Sequence, residues 1–204
     1  MTKQDVPSPI NWLSPNDVAK WERTAQTRPG RAEMFESFGQ ELRALDSTAA
    51  TALELGSGPG FLAAFLLDAL PTLRLTLVDF SAPMHDLARA RLGPRAARVA
   101  FVQRSFEDPD WPQGLGLFEA VITNQAVHEL RHKRHAPQLH AAVRQVLRPG
   151  GVYLVTDHFF GTGGLQNDQL YMTVAEQHTG LLAAGFSQVE LVAASGSLAM
   201  HRAT

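Results

Sequence analysis

In "LELGSGPG", residues 53–60, Glu54 precedes a turn that carries Gly56, Ser57, Gly58 and Gly60, and Asp79 closes the later run "LRLTLVD". Glycines in a strand-to-helix turn permit left-handed backbone and close approach of a ligand, and the helix behind them offers free N–H groups. A carboxylate at the end of the next strand, about 20 residues on, is spaced to reach the two hydroxyls of a ribose. The dinucleotide fingerprint asks for glycine or alanine at its third position, where this chain has Phe61. Glu54 would repel a pyrophosphate and favour a cation. These residues select a nucleoside with a positively charged tail.

A second group follows the run "FEAVITN". Asn124 and Gln125 stand at its end, and His128, four residues after Asn124, is the candidate general base, since an imidazole titrates near neutrality. His158, after "VYLVTD", is a weaker candidate, and with eight histidines in the chain most must be structural. The run "RHKRH", residues 131–135, lies beside the same group. Basic residues at a helix start oppose the helix dipole, so this run is either a solvated loop or a seat for an anionic substrate.

Bringing these residues together requires a particular set of elements. From residue 51 apolar runs alternate with amphipathic ones, the pattern of a parallel sheet covered on both faces. "TALEL" and "LRLTLVD" are strands one and two, with "GFLAAFLLDAL" a helix between them and Ser81 capping a helix from Ala82 to Leu92. "RVAFVQ", "FEAVITN" and "VYLVTD" give strands three to five, and Leu139, Val143 and Val146 line the helix that stops at "RPGG". A long helix is expected from Asp168 to Ala184, then an edge hairpin of "SQVELVAA" and "SLAMHRA" joined by "SG". Ahead of strand one, Ser14 caps a helix over 15–26, and Met34, Phe35, Phe38, Leu42 and Leu45 mark another over 31–45. These two helices form a candidate lid, with Trp12 and Trp21 as anchors and Trp21 or Arg31 placed to close over a ligand. In "HFFGTGGLQNDQ", the glycines suggest a flexible connection, and Phe159 with Phe160 either lines a pocket or covers the core.

The chain of 204 residues suits one domain with a small appendage. A formal net charge of −2 supplies no field that would gather nucleic acid or an anionic membrane, which argues against both as partners. Cysteine is absent, which removes disulfides, thiolate metal sites and a thiol nucleophile; no metal site is expected, and a cytoplasmic setting fits. No stretch approaches the roughly 20 apolar residues of a spanning helix. No apolar heptad specifies an oligomer.

Taken in order, "LELGSGPG", "LVDFS", "VQRSFED", "VITNQAVHEL" and "LRPGGVYLVTD" resemble the class I S-adenosylmethionine-dependent methyltransferases over about residues 50–204. The resemblance implies an α/β, Rossmann-like fold: a seven-stranded, mostly parallel sheet with its last strand inserted antiparallel, helices on both faces, and the N-terminal helices as a cap. Residues 1–48 would be the helical extension and 49–204 the methyltransferase domain. It further implies that Glu54, Gly56, Ser57, Gly58 and Gly60 hold the methionine part of S-adenosyl-L-methionine, Glu54 through the ammonium. Asp79 would bind the ribose hydroxyls, Phe80 would pack on the adenine, and Ser105 with Phe106 would border the base. Many relatives have Asp where this chain has Ser105, so Glu107 or Asp108 is an alternative contact to the adenine amino group. Asn124 and Gln125 would lie where the methyl group emerges, and His128 with Asn124 would form the catalytic pair. Relatives that methylate adenine or amide nitrogens carry Asn or Asp, two prolines and an aromatic after strand four; "NQAV" departs from that and points to a small-molecule acceptor methylated on oxygen or nitrogen. Two alternatives remain: a nicotinamide-dependent oxidoreductase, disfavoured by Phe61 and Glu54, and a module that binds S-adenosylmethionine without turnover.

Overall fold

The computed structural model describes residues 4–25, 27–45 and 50–204. Helices α1 (Pro15–Ala25) and α2 (Arg31–Arg43) precede β1 (Thr51–Leu55), α3 (Phe61–Ala69), β2 (Arg74–Asp79), α4 (Ala82–Leu92) and β3 (Val99–Gln103). After these come β4 (Phe118–Asn124), α5 (Ala136–Val143), β5 (Leu147–His158), α6 (Val174–Ala183), β6 (Val189–Ser195) and β7 (Leu198–Ala203). The expected end of the first helix at residue 26 and the expected domain boundary between 48 and 49 lie outside the described residues.

The seven strands form one sheet in the order β3-β2-β1-β4-β5-β7-β6. Parallel pairing runs from β3 to β5, and β7 is antiparallel to both of its neighbours. The two-residue period of a strand divides the core between the two faces. Ala52, Ala120, Ile122, Val152 and Leu154 pack on one side with Phe38 of α2 and Leu62 and Leu66 of α3. Leu53, Leu55, Val121, Tyr153 and Val155 pack on the other with Leu139 and Val143 of α5 and Leu181 of α6. Ser81 caps α4 by accepting from the Met84 N–H, and Ser14 accepts from the Asp17 N–H at 3.3 Å. Among the described residues no helix is long and apolar enough to cross a membrane.

The structure corrects the segment after β5. The long helix expected from Asp168 begins only at Val174, because Thr173 and Glu176 form a capping box that fixes the start of α6. Upstream, Asn167 accepts from the N–H groups of Gln169 and Leu170, and Leu170 is buried. The backbone there is further tied by Phe160 N–H to Met172 O and Lys133 N–H to Gln169 O. Burial and loop bonding override the local helical pattern.

The turn after β1 explains its own glycines. The N–H groups of Gly56 and Ser57 both donate to Val78 O at the end of β2. Gly56 has φ 64°, and a Cβ there would come within 2.4 Å of the Ala126 Cβ. Gly58 has φ 53° but nothing within 4 Å of its would-be Cβ. Gly56→Ala should therefore cost about 2–4 kcal/mol, adding overpacking to left-handed strain, and Gly58→Ala only about 1 kcal/mol. Urea unfolding of both variants at unchanged m-value checks the order.

Candidate active site

In a sheet of this topology the strand order reverses at β1, and a crevice opens above the carboxyl ends of the strands on either side. A cavity of about 280 Å³ lies there, with Glu54, Gly56, Ser57, Gly58, Asp79 and Phe80 along one wall. Phe106, Asn124, Gln125 and His128 line it as well. So the sheet brings together all but two of the main set of site residues expected from sequence, while the weaker candidates His158, Glu107 and Asp108 also lie off this wall. Ser105 is not among the lining residues; its hydroxyl accepts from the Glu107 N–H, closing a local turn instead. Gly60 is also absent from the wall, and its would-be Cβ meets Ala88 at 3.1 Å, so it lets α3 approach α4.

Two carboxyl groups define the β1–β2 side. Glu54 is 3% exposed, and its Oε2 has no hydrogen-bond partner among the described residues. Burial, reinforced by the negative charge of Asp79, pushes its pKa up to about 8. Asp79 accepts from the Gly58 N–H at 2.8 Å and the Ser81 N–H at 2.9 Å. Burial raises its pKa, and the two N–H bonds pull back in the other direction. Asp79 thereby locks the glycine turn of β1 to the start of α4. Phe80 lines the cavity and is 38% exposed.

The opposite side is built around His128. Its Nδ1 lies 2.6 Å from Asp157 Oδ1, its backbone N–H donates to Asp157 Oδ2 at 2.7 Å, and its Nε2 lies 3.3 Å from Glu129 Oε1. Burial opposes the imidazolium, but Asp157 and Glu129 outweigh it and raise the pKa to about 10. Glu129 also accepts from Trp12 Nε1 and Arg131 Nη1, at 3.2 and 3.1 Å. Tyr171 packs on His128 with ring centroids 5.5 Å apart. His158, the weaker candidate base, points its Nδ1 at Ser197 Oγ and is not among the lining residues. Asn124 keeps a buried Oδ1 without a partner among the described residues.

Asp157, Glu129 and Tyr171 are the site residues that sequence reading missed. Asp157 ends "VYLVTD" on the same edge as Asp79 and carried a signal of the same kind; Tyr171 was hidden by the helix expected around it. The "RHKRH" run is tied to other parts of the chain, and Arg131 also lines the cavity. Arg131 Nε and Nη2 bind the carbonyls of Val6 and Pro7, Lys133 pairs with Glu176, and Arg134 and His135 reach Asp5. The run anchors the N-terminal strap, whose Trp12 meets Trp21 edge-on at 5.3 Å and lines the cavity with it.

Residues 52–151 match a protein family described as "Methyltransferase domain". The ribosomal RNA small subunit methyltransferase C of Citrobacter koseri is 32% identical over 111 residues, which are 52% of this chain and 31% of that protein. The chain thus spans about a third of the length of the curated relatives it matches. Among solved structures, human N-acetylserotonin methyltransferase in complex with SAM superposes at TM-score 0.67 and 18% identity, covering 94% of this chain and 56% of that one. The DszA carbon methyltransferase gives TM-score 0.70 at 19% identity, covering 84% and 53%. The matched methyltransferase domain thus runs from β1 to the start of β5, on a seven-stranded sheet whose antiparallel β7 completes the fold shared with these solved methyltransferases.

Proposed function

We propose that this chain transfers a methyl group from S-adenosyl-L-methionine to an oxygen or nitrogen of a small-molecule acceptor. The observation that carries the reading is the unpartnered, buried Oε2 of Glu54 on the same wall as Asp79. A buried carboxyl group without a partner is costly, and a ligand ammonium is the complement that would return it to its charged form. The open space at Gly58 leaves the turn free to receive the amino-acid end of the cofactor. Asp79 keeps acceptor capacity for ribose hydroxyls, and Phe80 and Phe106 offer faces to adenine. Bound in this way, the cofactor supplies an electrophilic methyl group on a sulfonium.

The chain's own part is alignment, exclusion of water and management of one proton. His128 is the base for an O–H or N–H acceptor, Asp157 holds its ring through Nδ1, and Nε2 exchanges Glu129 for the acceptor. The N-terminal strap and α1 act as the lid, with Trp12 and Trp21 as its apolar lining. A bulk charge of −2 and a cavity this small favour a small acceptor over RNA, although a relative is named for ribosomal RNA.

Isothermal titration with S-adenosylhomocysteine should give micromolar affinity for the wild type. Asp79→Ala should weaken it about 10- to 100-fold, the size of lost hydrogen bonds to a charged group. A wild-type protein that binds NADH and neither S-adenosyl compound would sink the reading.

The pH dependence follows from His128. Its pKa in the folded chain lies above the ordinary 6.5, so its stabilising pairing is intact below pH 6.5 and is lost as pH rises through about 10. The base form gains population over the same interval, so kcat/KM should climb with pH toward about 10. Asp157→Asn removes the main influence that raises the pKa, leaving Glu129 alone to oppose burial, and should shift the rising limb to more acidic pH. His128→Ala should cost about a hundredfold or more in kcat. An unaltered pH profile in Asp157→Asn would show that His128 does not carry the proton.

A further inference from the structure

Away from the cavity, a second polar group is sealed between the sheet and the helices on its far face. His140 of α5, Tyr153 of β5, His201 of β7 and Gln177 of α6 are all buried, and none of them lines the cavity. The strand period puts His201 on the same face as Ala203, which packs with Leu139 and Val143 of α5 and Leu181 of α6. Tyr153 Oη lies 3.3 Å from His140 Nδ1, and the amide nitrogen of Gln177 lies 3.0 Å from His140 Nε2. An amide N–H can only donate, so Nε2 must be unprotonated to receive it. Neither ring nitrogen of His201 has a hydrogen-bond partner among the described residues.

A positive charge here would have nothing to balance it. Unlike His128 and His135, neither imidazole has a carboxylate within ion-pair distance among the described residues. The charge that bears on His140 is that of His201, and the charge that bears on His201 is that of His178 in α6, each of the same sign. Only the backbone at Val174, where α6 starts, favours charge on His201. Glu176, next to Gln177, is turned to Lys133 and the Thr173 N–H, and Arg202, next to His201, pairs with Glu41. Val155 of β5 and Leu191 of β6, opposite His201 in register, are apolar. Burial, reinforced by the like charges, holds His140 down to about 3 and His201 to about 4.

Of the elements that enclose the pair, α6 is the one best able to yield. Gln177 and Leu181 are its only buried residues, and Gly180 weakens it as a helix, whereas α5 keeps Ala136, Leu139, His140 and Val143 buried. Just ahead of its Thr173 cap, Leu170 and Tyr171 line the cavity. We propose that His140 and His201 form a proton-sensitive latch: uptake of protons by the pair releases α6 from the sheet and unseats the cavity wall at Leu170 and Tyr171. A proton on His140 Nε2 faces the Gln177 N–H donor directly. Turning the amide over would restore a hydrogen bond but would bring no counter-charge. Both imidazoles titrate below their ordinary 6.5 while α6 is docked, so docking is undisturbed above that pH and weakens as pH falls from 6.5 toward about 4.

Hydrogen exchange of the whole chain, followed by mass spectrometry at about pH 7.5 and about pH 5.5 and corrected for the intrinsic exchange rate, reads the opening of α6 on either side of the ordinary histidine pKa. Two protons gained on opening should raise its open population about 100-fold across that interval, while amides of β1 and β4 keep their protection. His201→Phe leaves one imidazole and should cut the rise to about 10-fold. Gln177→Glu sets a carboxylate beside His140 Nε2 and should also cut the rise to about 10-fold or less, with its urea midpoint at the higher pH reporting an intact fold. Should His201→Phe fail to fold, Gln177→Glu carries the test. A rise below about threefold in the wild type, a rise shared by β1 and β4, or a Gln177→Glu chain as pH-sensitive as the wild type overturns the proposal.

Discussion

Parallel pairing of β2, β1, β4 and β5 sends four strand ends to one edge, and each ends on or beside a polar group that the hydrophobic faces cannot accommodate. Glu54, Asp79, Asn124 and Asp157 are the result. For Asp79 and Asp157 the neighbouring backbone turns inward to meet the carboxylate: Gly58 and Ser81 donate to Asp79, and the His128 N–H donates to Asp157. Of the left-handed residues in this region, Gly58 donates to the Asp79 carboxylate, while Gly56 and Gln125 donate to the strand-end carbonyls of Val78 and Thr156. Left-handed backbone here turns N–H groups toward the polar groups at strand ends.

The cavity therefore has an uneven electrical character. Near β1 and β2 it is lined by carboxyl groups short of positive partners, and burial drives them toward the neutral form. Beyond β4 the imidazolium of His128 is over-supplied with acids, while Arg31 at the start of α2 has none. Opposite deficits a short distance apart suit a ligand that carries both signs of charge.

Much of this was legible in the sequence, for identifiable reasons. Glu54, Asp79 and the glycine turn follow from local spacing, since strand ends and tight turns leave marks within a few residues. The strands were legible because their residues are apolar on both faces. What could not be read depends on contacts far apart in the chain. The pairing of His128 with Asp157 exists because β4 and β5 are neighbours. The attachment of "RHKRH" to Asp5, Val6 and Pro7 spans more than a hundred positions. The segment before α6 misled for a different reason: Leu170 and Tyr171 look helical by pattern, but their side chains are used to close the cavity. There the Thr173–Glu176 capping box was the overlooked local sign.

The antiparallel insertion of β7 bears on how the molecule is made. Because β7 runs against β5, the turn between β6 and β7 arrives at the same edge as the cavity, with Leu198 opposite His158. Ser197 there binds His158 and the Phe159 N–H, and Gly30, immediately before Arg31, sits so close to the Ser195 carbonyl that a Cβ would lie 3.0 Å from it. The seat of an early helix is thus supplied by residues that are synthesised much later than the helix itself. Long-range closure of this kind is slow relative to local structure. A nascent chain can build the β1–β4 half of the sheet in order, but α2 gains its final backing only after the hairpin docks. Assembly of the cavity is thereby tied to completion of the sheet, so a chain interrupted before β7 would carry the glycine turn and its acids without the surface against which the start of α2 rests.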